Sequence, residues 1–567
     1  MNKKNQPIKT ELSNLLSDSL HKTLDGSFPP VELEPFFEVP REEKFGDLTT
    51  SIVLKLSKEK KQPPRPLAEA LAKHLENGLE QFSLRDRISK ITVEGPGFIN
   101  FYFSNQEIVS VILKVKDEGA DFGRPRLSSK KKILLEFVSA NPTGPLTVAH
   151  GRQAALGDSL ARILKCCGHS VTKEYYNNDE GVQIETLGQS TDLRLREILN
   201  KEMIEVPENF YKGAYLVDTA RKLIEREGEN SLKNMSEKKR LVLCRDFAKE
   251  DILEGIKKDL ADFDVHFDNY YSQAALVRSG EVKATLEELK KKNVLYENEG
   301  ALWFRSTDFG DDKDRVLIKS DKTYTYFTPD IAYHQDKFKR GFDELIDILG
   351  PDHHGYIARL KASQVALGRR ADQIHVLIAQ LVTLFEGARQ VRMSTRAGEF
   401  VTLRQILDEV GKDAGRFFFV MRKFDAHLDF DLELAKSQTP ENPVFYIQYA
   451  HARVESIKHQ AKEKNIKISW NNAGCLSKLA NPMEIRVLRM LSQFEESILG
   501  AAKTLEPYRL VPYLMDLAGS FHRFYAENRV ISDDLPLTQA RMMLAIAVQT
   551  VIKSGLELLG VSAPLKM

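Results

Sequence analysis

The sequence predicts an α/β protein in three parts: an N-terminal α+β domain over residues 1–125, a central domain with a mainly parallel sheet over 126–436, and a C-terminal α-helical bundle over 437–567. Three observations predict it. Short apolar runs alternate with helical patterns through the middle of the chain. Strand signals and glycine thin out after residue 437. The stretch Lys131 to Leu164, KKILLEFVSANPTGPLTVAHGRQAALGDSLARIL, has the layout of strand, tight loop and helix that opens a nucleotide-binding sheet.

In the first part, Ile8, Leu12, Leu15, Leu16, Leu20 and Leu24 form the apolar stripe of a helix. Pro63-Pro64-Arg65-Pro66 breaks the pattern, and Leu67, Ala70, Leu71 and Leu75 resume it. Ile91 to Glu94 and Phe98 to Phe103 read as strands around the turn Gly95-Pro96-Gly97.

The central part opens with the strand Ile133 to Val138 and a loop, Ser139 to Pro145, stiffened by proline and glycine. A helix begins near His150, with Leu156, Leu160, Ile163 and Leu164 on one face. Its free N–H groups and positive dipole end suit a phosphate. Val171 to Tyr176 is the next strand, followed by a long helical insertion in which Ile252, Ile256, Leu260 and Phe263 share a face. Strands resume at Ala301 to Phe304, Val316 to Lys319, Leu345 to Leu349 and Ile374 to Ile378, all ascribed to the same sheet. In the last part Ile485, Leu488, Leu491 and Phe494 repeat at helical spacing.

The 567 residues exceed what one core supports. Composition is that of a globular protein, 42% hydrophobic and 29% charged, and the net charge of +1 leaves any RNA surface to local basic patches. No apolar run reaches the length of a membrane span, and the N-terminus has no signal-peptide core, which points to the cytoplasm. Cys166, Cys167, Cys244 and Cys475 make no CxxC, so zinc is not expected. GxGxxG and GxxxxGK[ST] are both absent, so neither the dinucleotide fingerprint nor the P-loop applies.

The segment EFVSANPTGPLTVAHGRQAALGDSLAR resembles the signature of the arginyl-tRNA synthetases, a family of class I aminoacyl-tRNA synthetases with a Rossmann-like catalytic domain. The HIGH motif of that class falls on Thr147-Val148-Ala149-His150, departing from the pattern at Thr147 and Ala149. Arg392-Met393-Ser394-Thr395-Arg396 resembles the second class I signature, KMSKS, with Arg392 for the first lysine and Thr395 for the second. Thr402 and Gln405 are spaced as a capping box that starts the following helix.

The resemblance implies an arginine–tRNA ligase acting on ATP with Mg²⁺, L-arginine and an arginine tRNA, which activates arginine only with tRNA bound and is a monomer. His150 and Thr147 would act at the phosphates with Arg392, Ser394 and Arg396. The ATP site would also draw on Pro142, Gly144, Gly151, Met393 and Ser394, and on Asp352, His353 and His354 of GPDHHGY. Arginine would be held by Glu136, Ser139, Asn141, Tyr326 and Asp330, the last two in the family's YxTxD segment. As a bare residue, Asp330 equally suits a helix N-cap.

In the N-terminal domain Phe98 and Asn100 match positions that touch the tRNA elbow; Phe98 reads equally as an ordinary strand residue. ENPVFYIQYAHARVESI resembles the anticodon-binding helix, where Tyr446, Gln448, Tyr449, His451 and Arg453 would meet splayed bases, although the tyrosines also suit a core. The chain's last residues, GLELLGVSAPLKM, resemble the family's terminus, as expected of a complete protein. Two alternatives remain: a catalytically weak tRNA-binding paralogue, motivated by Thr147 and the altered second signature, and a class I synthetase for another amino acid, against which the carboxylates Asp330 and Glu136 argue.

Overall fold

The computed structural model describes the chain apart from residues 1–7, 25–36, 41, 126, 128, 392–400 and 471–472. The N-terminal part is a four-stranded antiparallel sheet in the order Phe37–Glu38, Leu48–Thr50, Phe98–Phe103, Ile88–Glu94. The helices Ile8–Thr23, Ile52–Lys60 and Pro64–Gly78 accompany it and build a core of their own from Leu12, Leu15, Leu16, Leu71 and Phe101. The strand pair turns at Gly95 and Gly97, both at positive φ. The helix that follows, Asn105–Glu118, contributes Val109, Ile112 and Val115 to the main core instead.

That main core fills the space between the central sheet and the C-terminal bundle. The sheet has five strands, all parallel, in the order Ile374–Ile378, Glu344–Leu349, Lys132–Glu136, Ser170–Asn177, Asn269–Ser272. The first strand in sequence lies at its centre, as expected for a doubly wound sheet, where ligands gather at the carboxyl ends of the strands. Two expected members are absent from it. Ala301–Phe304 and Arg315–Ile318 instead form a separate antiparallel sheet with Leu295–Asn298. A two-residue turn joins the first pair and a ten-residue connection the second, so antiparallel pairing forms locally, whereas a parallel partner would need a longer crossover. The insertion contains helices Val182–Asn200, Tyr215–Glu227, Glu229–Lys233 and Glu237–Asp262.

The C-terminal part is a bundle of Pro443–Glu463, Pro482–Ser492, Phe494–Thr504, Leu510–Glu527 and Leu535–Leu558. Leu535–Leu558 is long and apolar enough to cross a membrane by composition, contrary to the reading of the sequence. Most of its apolar window is buried among the other helices, which explains its character without a bilayer.

The segment after this helix returns to the catalytic domain. Gly560, at φ +68, lies so close to Arg416 that a Cβ there would come within 2.2 Å of the guanidinium. Arg416 donates to the Leu559 carbonyl at 3.0 Å, to Phe263 O at 3.0 Å and to Asp158 Oδ2 at 2.7 Å. Asp158 also accepts from Arg162 and Lys173, at 2.6 and 2.7 Å. Burial alone would raise its pKa; Arg416, Lys173 and Arg162 outweigh that and hold the carboxyl well below the usual range.

Candidate active site

The signature strand ends at Glu136, and the chain then turns sharply: Val138 has φ 68 and Ser139 φ 41. A β-branched residue in the left-handed region is strained, and strain of this kind persists where the surroundings hold it. Here the turn brings Ser139 Oγ back to donate to Glu136 Oε1 at 2.9 Å and to accept from the Tyr176 N–H at 3.1 Å. Beyond it Asn141 Nδ2 donates to Gln183 Oε1 at 2.6 Å. Pro142 is buried, and Tyr215 OH donates to the Thr143 carbonyl at 2.5 Å, holding the loop beside Gly144.

The signature helix is Val148–Cys166, with Thr147 as N-cap and His150 at its third position. The Thr147 N–H donates to His150 Nδ1 at 3.1 Å, so Nδ1 is the acceptor nitrogen and Nε2 carries the proton. Burial lowers the His150 pKa to about 4. The side chain is therefore a neutral donor near pH 7, oriented by the cap. Thr147 thus has a structural duty at the position where the motif carries histidine.

Next to it begins the helix Leu403–Val420, capped by the Thr402–Gln405 box expected from the sequence. Val148 N donates to Val401 O at 3.0 Å and Leu403 N to Leu146 O at 2.8 Å, so the two helix starts are stitched together. Gly151 makes this close crossing possible, because a Cβ there would lie 2.9 Å from Leu403 Cδ1. Of the second signature, Arg392, Met393, Ser394 and Arg396 lie outside the described residues.

Glu136 belongs to a row of carboxylates. In register it pairs with Asp347 on one neighbouring strand and with Glu174 on the other, so the three side chains share one face of the sheet. Over that face lies the helix Phe327–Lys339. Its Asp330, His334 and Lys337, spaced i, i+4 and i+7, form one stripe along it. Lys337 Nζ donates to Glu136 Oε2 at 2.6 Å and to Asp347 Oδ1 at 2.7 Å, and lies 4.2 Å from the centre of the Tyr333 ring. His334 Nε2 meets Asp347 Oδ2 at 3.0 Å. Glu174 accepts from Arg340 at 2.6 and 2.8 Å and from Tyr333 OH at 2.8 Å.

Burial raises the pKa of Glu136, opposed by Lys337, and raises that of Asp330, opposed by His334. For Lys337 burial would lower it, but Asp347 and Glu136 prevail and keep the ammonium charged. Asp330 accepts from Tyr356 OH and is no N-cap. The cap position is Tyr326, because the helix starts a turn earlier, with Pro329 inside its first turn where a missing N–H costs nothing. Tyr326 itself is 82% exposed. Among the described residues Glu136, His334 and Asp347 are also the one His/carboxylate group close enough to share a metal ion, but Lys337 Nζ already serves two of its members.

Asp352 and His353 are exposed, 3.4 Å apart, in a short 3₁₀ turn beyond the strand Glu344–Leu349; the side chain of His354 lies outside the described residues. Phe98 stands at the start of an inner strand of its sheet, 37% exposed, while Asn100 is 2% exposed and its Nδ2 has no hydrogen-bond partner among the described residues. On the helix Pro443–Glu463 the five expected residues divide. Gln448 turns inward to Asp413 and the Ser562 carbonyl, at 3.0 and 2.9 Å, and His451 to the Pro564 carbonyl at 2.9 Å. Tyr446 packs on His522, ring centres 4.6 Å apart. Tyr449 is partly exposed, and the Arg453 guanidinium stacks between Tyr449 and Tyr525 at 4.5 and 4.7 Å.

Lys337, Asp347, His334 and Glu174 escaped the reading of the sequence. One signal was available: Asp347 is a lone acid inside the apolar run Leu345 to Leu349, a placement that requires a buried partner.

Three family models match consecutive parts of the chain: "Arginyl tRNA synthetase N terminal domain" over 10–103, "tRNA synthetases class I (R), catalytic domain" over 110–423, and "DALR anticodon binding domain" over 447–567. The chain is similar to the arginine–tRNA ligase of Syntrophotalea carbinolica, 44% identical over 99% of this chain and 100% of that one. It is also similar to the ligase of Desulfosudis oleivorans, 46% identical over 95% of each. Among solved structures it resembles the arginyl-tRNA synthetase of Thermus thermophilus, with a TM-score of 0.76 over 99% and 100% of the two chains at 23% identity, a likeness of fold.

Proposed function

The chain belongs to the arginyl-tRNA synthetase family, and from that premise we propose how its residues carry out the reaction. It is an ATP-dependent arginine–tRNA ligase. A carboxylate oxygen of L-arginine attacks the α-phosphorus of ATP, the bond to the β-phosphate oxygen breaks, and pyrophosphate leaves. A hydroxyl of the terminal ribose of arginine tRNA then attacks the carbonyl of the adenylate, and AMP leaves. ATP enters as its Mg²⁺ complex, and no zinc takes part.

The observation that carries the reading is the buried acidic row whose Glu136 ends the strand that leads, through one loop, into a helix start bearing a neutral histidine donor. The guanidinium goes to Glu136 and Asp330, with Tyr326 closing over it. Ser139 orients Glu136, and Asn141 holds the α-amino group. The loop of Pro142 and Gly144 and the helix start at Thr147, His150 and Gly151 receive ATP, with Asp352, His353 and His354 on the adenosine side. His150 Nε2–H donates to a phosphate oxygen, and Arg392, Met393, Ser394 and Arg396 meet the leaving pyrophosphate.

Residues 1–125 contact the tRNA elbow through the exposed Phe98, while Asn100, expected from the sequence to join it, is buried and does not. Residues 126–436 do the chemistry. Residues 437–567 read the anticodon through Tyr446, Tyr449 and Arg453, while Gln448 and His451 support that helix from behind. The enzyme acts as a cytoplasmic monomer. The test is ATP–pyrophosphate exchange with arginine, with and without arginine tRNA. Exchange only when tRNA is present is expected; exchange with another amino acid but not arginine would refute the assignment.

A further inference from the structure

We infer that Lys337 is a positioning residue for arginine recognition: its ammonium, clamped between Glu136 and Asp347, fixes the Glu136 carboxylate in the place and charge state that a substrate guanidinium requires. The inference rests on the proposed arginine site.

Three carboxylates side by side on parallel strands repel one another, and like charges facing across strands destabilise a sheet. Each is buried, so water cannot relieve the repulsion. The helix Phe327–Lys339 supplies the relief in two different forms. Glu174, at the far end of the row, is saturated by a two-pronged contact from Arg340, the Tyr333 hydroxyl and Asn269 Nδ2. Asp347, at the near end, accepts from Lys337 on Oδ1 and meets His334 on Oδ2.

Glu136, in the middle, receives one bond from Lys337 on Oε2 and one from Ser139 on Oε1. A carboxylate accepts about four hydrogen bonds, so Glu136 and Asp347 both keep capacity, and Glu136 is the more exposed of the two, 6% against 1%, and the one whose second partner is an uncharged hydroxyl. Asp330, on the same helix stripe, adds a further negative charge whose partner is a neutral phenol. With Lys337 and Arg340 as the resident cations, the cluster remains anionic, and a substrate cation completes it.

Lysine suits this task. A compact ammonium on a flexible stem occupies one point between two carboxylates, whereas a guanidinium would span a plane and compete with the ligand for Glu136. Without Lys337 the middle carboxylate, already disfavoured by burial, takes up a proton or swings away, and the guanidinium loses its acceptor.

The test is tRNA-dependent ATP–pyrophosphate exchange by the full chain across arginine concentrations. Absence of exchange by the unmutated chain would refute the arginine reading itself, before any variant is compared. The double variant Lys337→Met/Asp347→Asn removes one charge of each sign, so the net charge of the cluster is kept. A KM for arginine raised tenfold or more, with the KM for ATP within twofold, is expected. An arginine KM within twofold of the unmutated value would overturn the inference, because a lysine serving only to neutralise Asp347 predicts that result. Should the double variant fail to fold by circular dichroism, Lys337→Arg decides by the same two constants. A rise of threefold or more in the arginine KM alone supports the inference, and an unchanged one overturns it.

Discussion

Lys173 and Glu174 are consecutive residues of one strand and so face opposite sides of the central sheet, each into a cluster of buried charge. On the Lys173 side, Asp158 and Asp264 are met by Arg162, Lys173 and Arg416, so cations match or exceed anions. On the Glu174 side, Asp330, Asp347, Glu136 and Glu174 are met by Lys337 and Arg340, so anions are in surplus. A closed set of charges holds elements together and leaves nothing for a ligand. A set left open by one or two charges tolerates that cost only where a cation arrives. The imbalance, more than the burial, separates the functional cluster from the structural one.

The largest effect is expected from breaking the closed set. Asp158→Asn leaves Arg416 buried without its anion and should lower stability by about 3–5 kcal/mol in urea unfolding, with the arginine KM of the folded enzyme unchanged. A loss below about 1 kcal/mol would mean that the cluster does not hold the fold.

Asp330→Asn tests the open set and should do the reverse. The kcat/KM for arginine should fall on the order of 10²- to 10³-fold through loss of a buried charge partner, while stability at pH 7 rises. Burial raises the pKa of Asp330 above its unfolded value, so its ionisation opposes folding above that range and has no effect well below it. The gain in the variant should therefore vanish by about pH 3. Asp158 has the opposite sign: its depressed pKa contributes stability that is present above the ordinary carboxylate range and is lost as pH falls. Urea midpoints for both variants at the two pH values compare the clusters directly, and parallel shifts would erase the distinction.

The smallest effect extends the comparison to the anticodon helix. Gln448→Ala should cost about 1–3 kcal/mol of stability and leave tRNA affinity within twofold, because its amide is spent on Asp413 and Ser562. Arg453→Ala should weaken tRNA binding with little change in stability. The opposite pattern in the two Kd values would reassign the roles.

Much of this was legible in the sequence, and the limits follow from distance along the chain. The signature strand, its helix and the Thr402–Gln405 cap depend on neighbouring residues, and each stands within a few positions of the expectation. Glu136 and Asp330 were identified as arginine-site candidates, but their company was not, because Lys337 joins Glu136 to Asp347 only through the parallel register of separate strands. The alternative reading of Asp330 as a cap does not hold, since Pro329 marks a first helical turn as readily as a helix boundary. Gln448 and His451 were taken for an outward face. Their partners arrive from Ser562 and Pro564, more than a hundred residues later, and no local periodicity reports that.

The return of Leu559 to Pro564 also sets an order of assembly during synthesis. Arg416 has Asp158 within reach as soon as the catalytic domain has emerged from the ribosome, but its Nε–H finds an acceptor only when Leu559 has been made. Gln448 and His451 likewise wait for Ser562 and Pro564. A nascent chain stopped just short of these residues would carry the whole reaction centre and still leave buried donors unpaired on both sides of the domain junction. Such a chain should open more readily and be cut by proteases faster than one that includes the segment.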